Sequence, residues 1–228
     1  MTKKGEPVRE LYRRIAARYD LLAHLYYLVG FRGRAYRKMA VRDLNLVRGD
    51  TVIDIGCGTG LCFSYLQQRV GPEGRIIGVD LSGDMLEKAG ERVQKSGWSN
   101  VELVERDAAE FDFPGGVAGV VSVFSLRSID RYEELMRKAA LAITPGGRFV
   151  VLDLKLPDRS RSWVKRLFLT FAKPFGVGME LAGFRPWEPG QVYFEDTRIT
   201  PLYFGFAYIF SGRAPTRPER SSRPDCGR

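Results

Sequence analysis

The sequence predicts an α/β fold built on a mostly parallel sheet, because short apolar stretches alternate with helical ones from residue 51 onwards. Apolar stretches without polar alternation are typical of parallel strands that helices cover on both faces. Five such strands are predicted at 51–56, 75–80, 101–105, 117–124 and 147–154. The helices between them are predicted at about 60–70, 83–96 and 131–143.

Two more apolar stretches lie close together near the end of the chain, "QVYFEDTR" (191–198) and "YFGFAYIFSG" (203–212). Only "ITPL" separates them, which leaves no room for the crossover helix that a parallel pair needs. We therefore predict an antiparallel C-terminal hairpin, which brings the sheet to seven strands.

Composition shifts along the chain divide it into parts. Apolar residues at helical spacing from Val8 to Val29, followed by a helix at about 33–45, predict an N-terminal helical cap over residues 1–48. The main domain is predicted at 49–212, with a helical insertion on the substrate side at 159–190. Residues 213–228 are rich in arginine and proline and predict a disordered basic tail.

The three cysteines, Cys57, Cys62 and Cys226, have neither a metal-binding spacing nor an even number for disulfides, and free thiols are expected. No apolar run approaches the ~20 residues of a membrane span. No secretion signal is recognised at the N-terminus, so a cytoplasmic protein is expected.

The net charge of +9 is unevenly distributed. It is +8 over residues 1–48, −5 over 49–154 and +6 over 155–228. Basic flanks favour an anionic neighbour, such as a membrane surface, an acidic substrate or a nucleic acid. A predicted helix at about 160–175 carries aromatic and aliphatic residues beside Lys165 and Arg166, as helices that rest on anionic lipid do. The alternative is a solvated face of a core helix.

The stretch "VIDIGCGTG" places Asp54 directly before three glycines, Gly56, Gly58 and Gly60. Glycines between a strand and a helix let the backbone approach a ligand, and dinucleotide-binding folds use them too. However, Gly60 comes too early for the third glycine of the dinucleotide motif. A carboxylate about 4 Å from a pyrophosphate would cost roughly 4 kcal/mol, whereas the same charge attracts a sulfonium or an ammonium. The ligand predicted by this pattern is S-adenosylmethionine rather than NAD.

Four motifs in order, "VIDIGCGTG", "GVDLSGDML", "ERDAAEF" and "ITPGGRFVVLDL", resemble the motif series of class I S-adenosylmethionine-dependent methyltransferases. The resemblance covers about residues 50–155 and implies a Rossmann-like fold. The residues that it assigns to the cofactor lie in the glycine turn and in the loops after the second, third and fourth strands: Asp54, Gly56, Cys57, Gly58, Gly60, Asp80, Leu81, Met85, Asp107, Ala108 and Phe124.

By the same resemblance, Asp54 and the glycine backbone hold the methionine moiety and Asp80 binds the ribose. Leu81 and Met85 lie against the adenine, with core packing as the alternative. Asp107 and the Ala108 amide read the adenine amino edge, with a solvated surface acid as the alternative for Asp107.

Within this class, the chain resembles the ubiquinone/menaquinone C-methyltransferases and the related bacterial phospholipid N-methyltransferases. The motifs that carry this resemblance are "RIAARYDLL", "DLSGDML", "SLRS" and, at the end, "RPWEPG" followed by "YFGFAYIFSG". It implies that Tyr19 closes over the methionine end of the cofactor, although Tyr19 also fits the apolar helical stripe. The quinone enzymes usually have "GLRN" where this chain has "SLRS" at 125–128.

Methyl transfer from a sulfonium needs alignment and exclusion of water, and it needs a base only if the acceptor loses a proton. His24, the sole histidine, is a candidate base or an ordinary helix-surface residue. Arg127 is a candidate for orienting a substrate or a surface arginine at a helix start. No residue cluster indicates a metal.

The sequence therefore predicts a methyltransferase for a small or lipophilic acceptor, such as a quinone precursor or a phospholipid head group, with peripheral association at an anionic membrane. A methyltransferase of a soluble molecule and a non-catalytic S-adenosylmethionine-binding protein are the alternatives. Nucleic acid is a less favoured substrate, because the Asn/Asp-Pro-Pro-aromatic motif of base-amino methylases is missing from "VFSLRSI". The sequence makes no prediction of oligomeric state.

Overall fold

The computed structural model of the chain describes residues 30–157, 161–172, 178, 181 and 183–216. One sheet contains seven strands: β1 Thr51–Ile55, β2 Arg75–Asp80, β3 Val101–Glu105, β4 Val117–Val123, β5 Ile143–Leu154, β6 Glu195–Leu202 and β7 Ala207–Arg213. The described helices are α1 Gly33–Asp43, α2 Phe63–Val70, α3 Gly83–Ser96, α4 Tyr132–Ala142, α5 Ser162–Ala172 and α6 Trp187–Tyr193.

The strand order across the sheet is β3-β2-β1-β4-β5-β7-β6. Neighbouring strands pair in parallel from β3 to β5, and β7 pairs antiparallel with both β5 and β6. The predicted mostly parallel sheet with an antiparallel C-terminal hairpin is confirmed. The chain moves outward from β1 to β3 and then returns to β4 beside β1. Such a reversal opens a crevice at the carboxyl ends of the strands, where ligands of α/β folds bind.

The sheet is covered on both faces, as the continuous apolar strands predict. One face packs against α1, α2 and α3, through residues such as Ala40, Leu66 and Ala89. The other face packs against α4 and the end of α6. Because side chains alternate along a strand, Val52 faces α1 while Ile53 faces the opposite layer. The same alternation directs Asp54 towards α1.

The predicted strand over 191–198 is wrong in its first half, because residues 191–193 belong to α6. Tertiary packing overrides the strand-forming side chains there. Trp187 packs edge-on against Tyr208 of β7, with 5.2 Å between ring centroids. A Cβ at Gly190 would lie 2.4 Å from the Phe210 ring, so this helix approaches β7 as closely as a glycine allows.

The predicted connection of the hairpin is also wrong. "ITPL" lies inside β6, and the turn is formed by Tyr203–Gly205, a single turn of 3₁₀-helix. Pro201 is tolerated because β6 is an edge strand that pairs only with β7. Tyr203 and Phe204 adopt positive φ angles of 44° and 55°, a conformation that aromatic residues rarely adopt and that propensity does not predict.

Other boundaries differ from the predictions by a few residues. The helix at 83–96 is confirmed as α3, whereas α2 begins only at Phe63 because the glycine turn extends to Cys62. β7 continues to Arg213, past the predicted boundary at 212, and the Ala214 N–H donates to the Gly147 carbonyl at 2.8 Å. The predicted helix from Val8 to Val29 lies outside the described residues. None of the described helices is long and apolar enough to span a membrane.

We expect Gly190→Ala to destabilise the protein by about 1–3 kcal/mol, because the added methyl group would overlap the Phe210 ring. The measurement is the free energy of unfolding from chemical denaturation. Gly90→Ala in α3 is the matched control, since its Cβ would meet only Leu103 at an ordinary 3.7 Å. Equal stabilities of the two variants would contradict the close packing of α6 on β7.

Candidate active site

The glycine turn follows β1 at the crevice between β1 and β4. Gly56, Gly58 and Gly60 have φ angles of 65°, 55° and 74°, which L side chains rarely adopt. A Cβ at Gly56 would lie 2.3 Å from the Ser125 Cβ, and one at Gly60 would lie 2.6 Å from the Phe63 ring. A Cβ at Gly58 would meet nothing within 4 Å. Gly56 and Gly60 are therefore needed for packing, whereas Gly58 faces open space that a ligand can fill.

Asp54 is buried, with only 1% of its surface exposed. Neither of its carboxylate oxygens has a hydrogen-bond partner in the described part of the chain. Burial raises the pKa of Asp54 to about 7, with a further increase from Asp80 and a partial offset from Arg37. A buried carboxylate without partners costs free energy, and such groups are enriched at functional sites.

The crevice at Asp54 is lined from four elements: α1, β1, the glycine turn and the end of β4. The lining residues are Arg37, Asp54, Gly56, Cys57, Gly58, Thr59, Leu61, Cys62 and Val123. Burial is the main cause that raises the pKa of both the Cys57 and Cys62 thiols, so both remain protonated at neutral pH. They are free thiols, as expected, and Cys226 lies outside the described residues.

Asp80 joins the glycine turn to the end of β2. Its Oδ2 accepts the Gly58 N–H at 2.8 Å, and its Oδ1 accepts the Ser82 N–H at 2.9 Å. Burial raises the pKa of Asp80, and these backbone hydrogen bonds partly offset the increase. The Leu81 N–H also donates to this carboxylate. The two oxygens of a carboxylate can together accept about four hydrogen bonds, so Asp80 can still accept one from a ribose hydroxyl.

The residues predicted around the adenine lie in the loops after β2 and β3. Leu81 is half-buried and Met85 is buried at the start of α3, in agreement with its core-packing alternative. Asp107 Oδ1 accepts the Ala109 N–H at 2.9 Å, which fixes the acid in a local turn beside the buried Ala108. The loop thus holds Asp107 at the carboxyl edge of the sheet.

Four aromatic rings pack together beside Arg37, a lining residue of the crevice, and we call Phe31, Tyr36, Phe124 and Tyr203 the aromatic wall. Phe31 lies at the centre, with ring centroids 5.3 Å from Tyr36, 5.8 Å from Phe124 and 5.2 Å from Tyr203. Phe124 has a φ of 59°, and its N–H donates to the Leu152 carbonyl at 2.8 Å. The predicted cofactor residue Phe124 therefore lies between the Arg37 guanidinium and the Phe31 ring.

Arg127 is not the surface arginine that one alternative expected. Its guanidinium forms a buried ion pair with Asp153 at 2.8 Å, with side-chain exposures of 5% and 0%. It also donates to the Phe124 carbonyl at 2.9 Å. Arg127 thus fixes the backbone of the aromatic wall, and a role in orienting a substrate stays a prediction. Tyr19 and His24 lie outside the described residues.

Two residues of the site were not identified from the sequence. Ser125 Oγ donates to the Ile55 carbonyl at 2.7 Å and lies 2.8 Å from Ser122 Oγ, so it ties the end of β1 to the loop after β4. Arg37 lines the crevice from α1. The sequence held one signal for Arg37: it stands at helical spacing among apolar positions such as Tyr36, Ala40 and Val41.

The sheet order, the glycine turn and the unpartnered acid before it define the class I methyltransferase fold. The family model described as "ubiE/COQ5 methyltransferase family" matches residues 1–174. The chain belongs to this family.

The curated relatives support the same assignment. The chain is 33% identical over 161 residues to a ubiquinone/menaquinone biosynthesis C-methyltransferase of Pseudomonas fluorescens, covering 70% of this chain and 62% of the relative. It is 29% identical over 157 residues to a demethylmenaquinone methyltransferase of Listeria welshimeri, covering 68% and 65%. The chain therefore matches slightly less than two thirds of the length of either relative.

A solved structure supports the fold. Phosphoethanolamine N-methyltransferase 2 of Haemonchus contortus, in complex with phosphomonomethylethanolamine and S-adenosylhomocysteine, superposes with a TM-score of 0.63. The match covers 78% of this chain and 52% of that one at 16% identity, so the likeness concerns the fold.

The affinity for adenosylhomocysteine should depend on pH. Its α-ammonium favours the ionised form of Asp54, so affinity should fall by up to about tenfold as the pH drops from 7.5 to 6. Arg37, Asp80, Cys57 and Cys62 surround the acid, and burial raises the pKa of Asp80 as well. Calorimetry over this pH range measures the effect.

Asp54→Asn separates the titration of Asp54 from that of Asp80. This variant keeps the shape of the side chain and removes its proton equilibrium, so its weaker affinity should vary little over the same range. A wild-type affinity that is independent of pH would contradict the assignment of Asp54 to the ammonium group.

Proposed function

We propose that this protein transfers a methyl group from S-adenosylmethionine to a lipophilic aromatic acceptor, such as a quinone precursor. The observation that carries the proposal is the buried, unpartnered Asp54 carboxylate beside a glycine turn. A cationic ligand offsets the cost of such a group, whereas a pyrophosphate would increase it. Membership of a methyltransferase family supports the same ligand.

The residues of the crevice fit this cofactor part by part. Gly58 leaves open space for the ligand, Asp54 matches its positive charge, and Asp80 can accept a hydrogen bond from a ribose hydroxyl. The bound cofactor supplies a methyl group that its sulfonium already activates. The protein has to hold this group in line with the acceptor and exclude water, which can lower the barrier by roughly 7–11 kcal/mol.

The aromatic wall supports a lipophilic acceptor. Phe124 packs against Arg37 in the lining of the crevice, and Phe31 and Tyr203 continue the aromatic surface from it. Such rings bind an apolar ring by offset or edge-on contacts. The name of the Pseudomonas relative refers to C-methylation in ubiquinone and menaquinone biosynthesis, and that of the Listeria relative to methylation of demethylmenaquinone. In C-methylation, the acceptor carbon bonds to the methyl carbon as the methyl–sulfur bond breaks. The bonding pair stays on sulfur, and the acceptor then loses a proton.

The proposal includes peripheral association with an anionic membrane through α5. Phe168 of this helix stacks on Phe206 at 4.4 Å between ring centroids, which holds the helix against the sheet. Trp163 and Leu167, one turn apart, are 61% and 51% exposed. Arg166 is exposed beside them. Exposed apolar residues with basic neighbours are typical of helices that bind anionic lipid, where an acceptor with a hydrophobic tail is dissolved.

The test of activity is incubation of the protein with methyl-labelled S-adenosylmethionine and a bacterial lipid and quinone extract. We expect the label in a quinone-type product that mass spectrometry identifies. Gly58→Ala should reduce the transfer rate by at least about tenfold, because its methyl group enters the crevice. Gly97→Ala is the matched control, since Gly97 also has a positive φ and open space but lies at the end of α3.

The outcomes of this experiment distinguish the alternatives. Label in a phospholipid head group or in a water-soluble product would replace the quinone acceptor. Binding of the cofactor without any labelled product would contradict an enzyme and favour a non-catalytic binding protein.

The membrane prediction concerns sedimentation with vesicles of anionic phospholipid at low salt. We expect wild type to sediment with them, and the Trp163→Ser/Leu167→Ser variant to bind at least about twofold less. Val192→Ser is the control, because Val192 is 70% exposed on a different helix. Wild type that stays in the supernatant would contradict membrane association.

A further inference from the structure

Arg37 is a buried cation in the crevice. Only 8% of its surface is exposed, although arginine is rarely buried without a partner. It lies on α1 four residues after Gly33, where a Cβ would come within 3.1 Å of its Nη1. The glycine thus leaves room for the guanidinium. Because burying a charged side chain costs free energy, the position of Arg37 needs a physical reason.

The described contacts of Arg37 leave hydrogen-bond donors of its guanidinium available for a ligand. The guanidinium lies over the Phe124 ring, 5.3 Å from the centroid, and it partly offsets the raised pKa of the neighbouring Cys62 thiol, a weak acceptor. Asp54 lies within electrostatic range, yet neither of its oxygens accepts a hydrogen bond. A buried cation and a buried anion therefore line one crevice without forming a hydrogen-bonded pair.

The contrast with the second buried Arg–Asp pair is informative. The side chains of Arg127 and Asp153 are also buried, with 5% and 0% of their surface exposed, and their charged atoms lie 2.8 Å apart. The fold therefore closes one such pair and leaves the other open. Space between two opposite buried charges, beside open space at Gly58, suits a ligand that carries both charges itself.

We propose that Arg37 binds the α-carboxylate of S-adenosylmethionine while Asp54 binds its α-ammonium. The planar guanidinium can donate two parallel hydrogen bonds to a carboxylate, and the Phe124 ring under it fixes its plane. Arg37 is then a specificity-determining residue, because adenosyl ligands without the carboxylate leave it unpaired. The inference rests on the proposed cofactor, and it adds the residue that binds the carboxylate of the cofactor's methionine moiety.

The test compares two ligands by calorimetry: adenosylhomocysteine and its decarboxylated analogue, in which hydrogen replaces the α-carboxylate. Wild type should bind adenosylhomocysteine at least about tenfold more tightly than the analogue. Arg37→Met should weaken the binding of adenosylhomocysteine by at least about tenfold and leave the analogue within about twofold. The preference for the carboxylate should therefore be lost.

Arg42→Met is the matched control, because Arg42 is exposed on the same helix. It should keep the wild-type preference. If Arg37→Met does not fold by circular dichroism, Arg37→Lys serves instead. Lysine keeps the positive charge but lacks the two parallel N–H donors of a guanidinium. The preference for adenosylhomocysteine over the analogue should therefore fall by at least about threefold.

Two failures are distinguishable. Wild type that binds neither ligand overturns the proposed cofactor and this inference with it. Wild type that binds adenosylhomocysteine, together with an Arg37 variant that keeps the full preference for the carboxylate, overturns only the role of Arg37. The guanidinium would then be a structural counter-charge to Asp54.

Discussion

The site depends on the unpartnered carboxylate of Asp54. Strand alternation directs this side chain towards α1, and the sheet and helices bury it almost completely. Its pKa is raised to about 7, mainly by burial, because the ligand-free fold disfavours the ionised form of this carboxyl. A cationic ligand supplies the hydrogen-bonded positive charge that the described residues do not place on Asp54. The cost of folding around this acid is thus the physical source of the site's preference for a positively charged guest.

The surrounding contacts keep the site open rather than satisfy Asp54. Asp80 binds the Gly58 and Ser82 amides and so fixes the shape of the glycine turn. Ser125 occupies the space that a side chain at position 56 would need and ties the turn to the loop after β4. Arg127 and Asp153 close on each other and hold the Phe124 carbonyl. Among the described residues, Arg127 and Asp153 thus form a closed ion pair behind the site. Arg37 and Asp54, which face the crevice, do not form a hydrogen-bonded pair.

The sequence pattern predicted secondary structure correctly where tertiary packing and local propensity favour the same conformation. It failed where they favour different ones. The parallel strands and α3 follow from continuous apolar runs and from the capping Ser82, whose Oγ accepts the Met85 N–H. Residues 191–193 look like a strand, yet α6 forms because Trp187 and Gly190 pack on β7. The hairpin turn contains Tyr203 and Phe204 at positive φ, where sequence rules expect glycine or asparagine. Contacts distant in sequence decide both segments.

The sequence alone determined the fold class, the glycine turn and the two acids, Asp54 and Asp80, because these depend on local spacing and on residue chemistry. It gave only the helical spacing of Arg37 and not its place beside Asp54, since α1 packs on the sheet only after the strands have assembled. It also left Arg127 ambiguous, because the partner that buries it, Asp153, is 26 residues away on another strand. The sequence shows which residues carry a charge. Tertiary packing decides which charges form pairs, because it fixes their distances and excludes water.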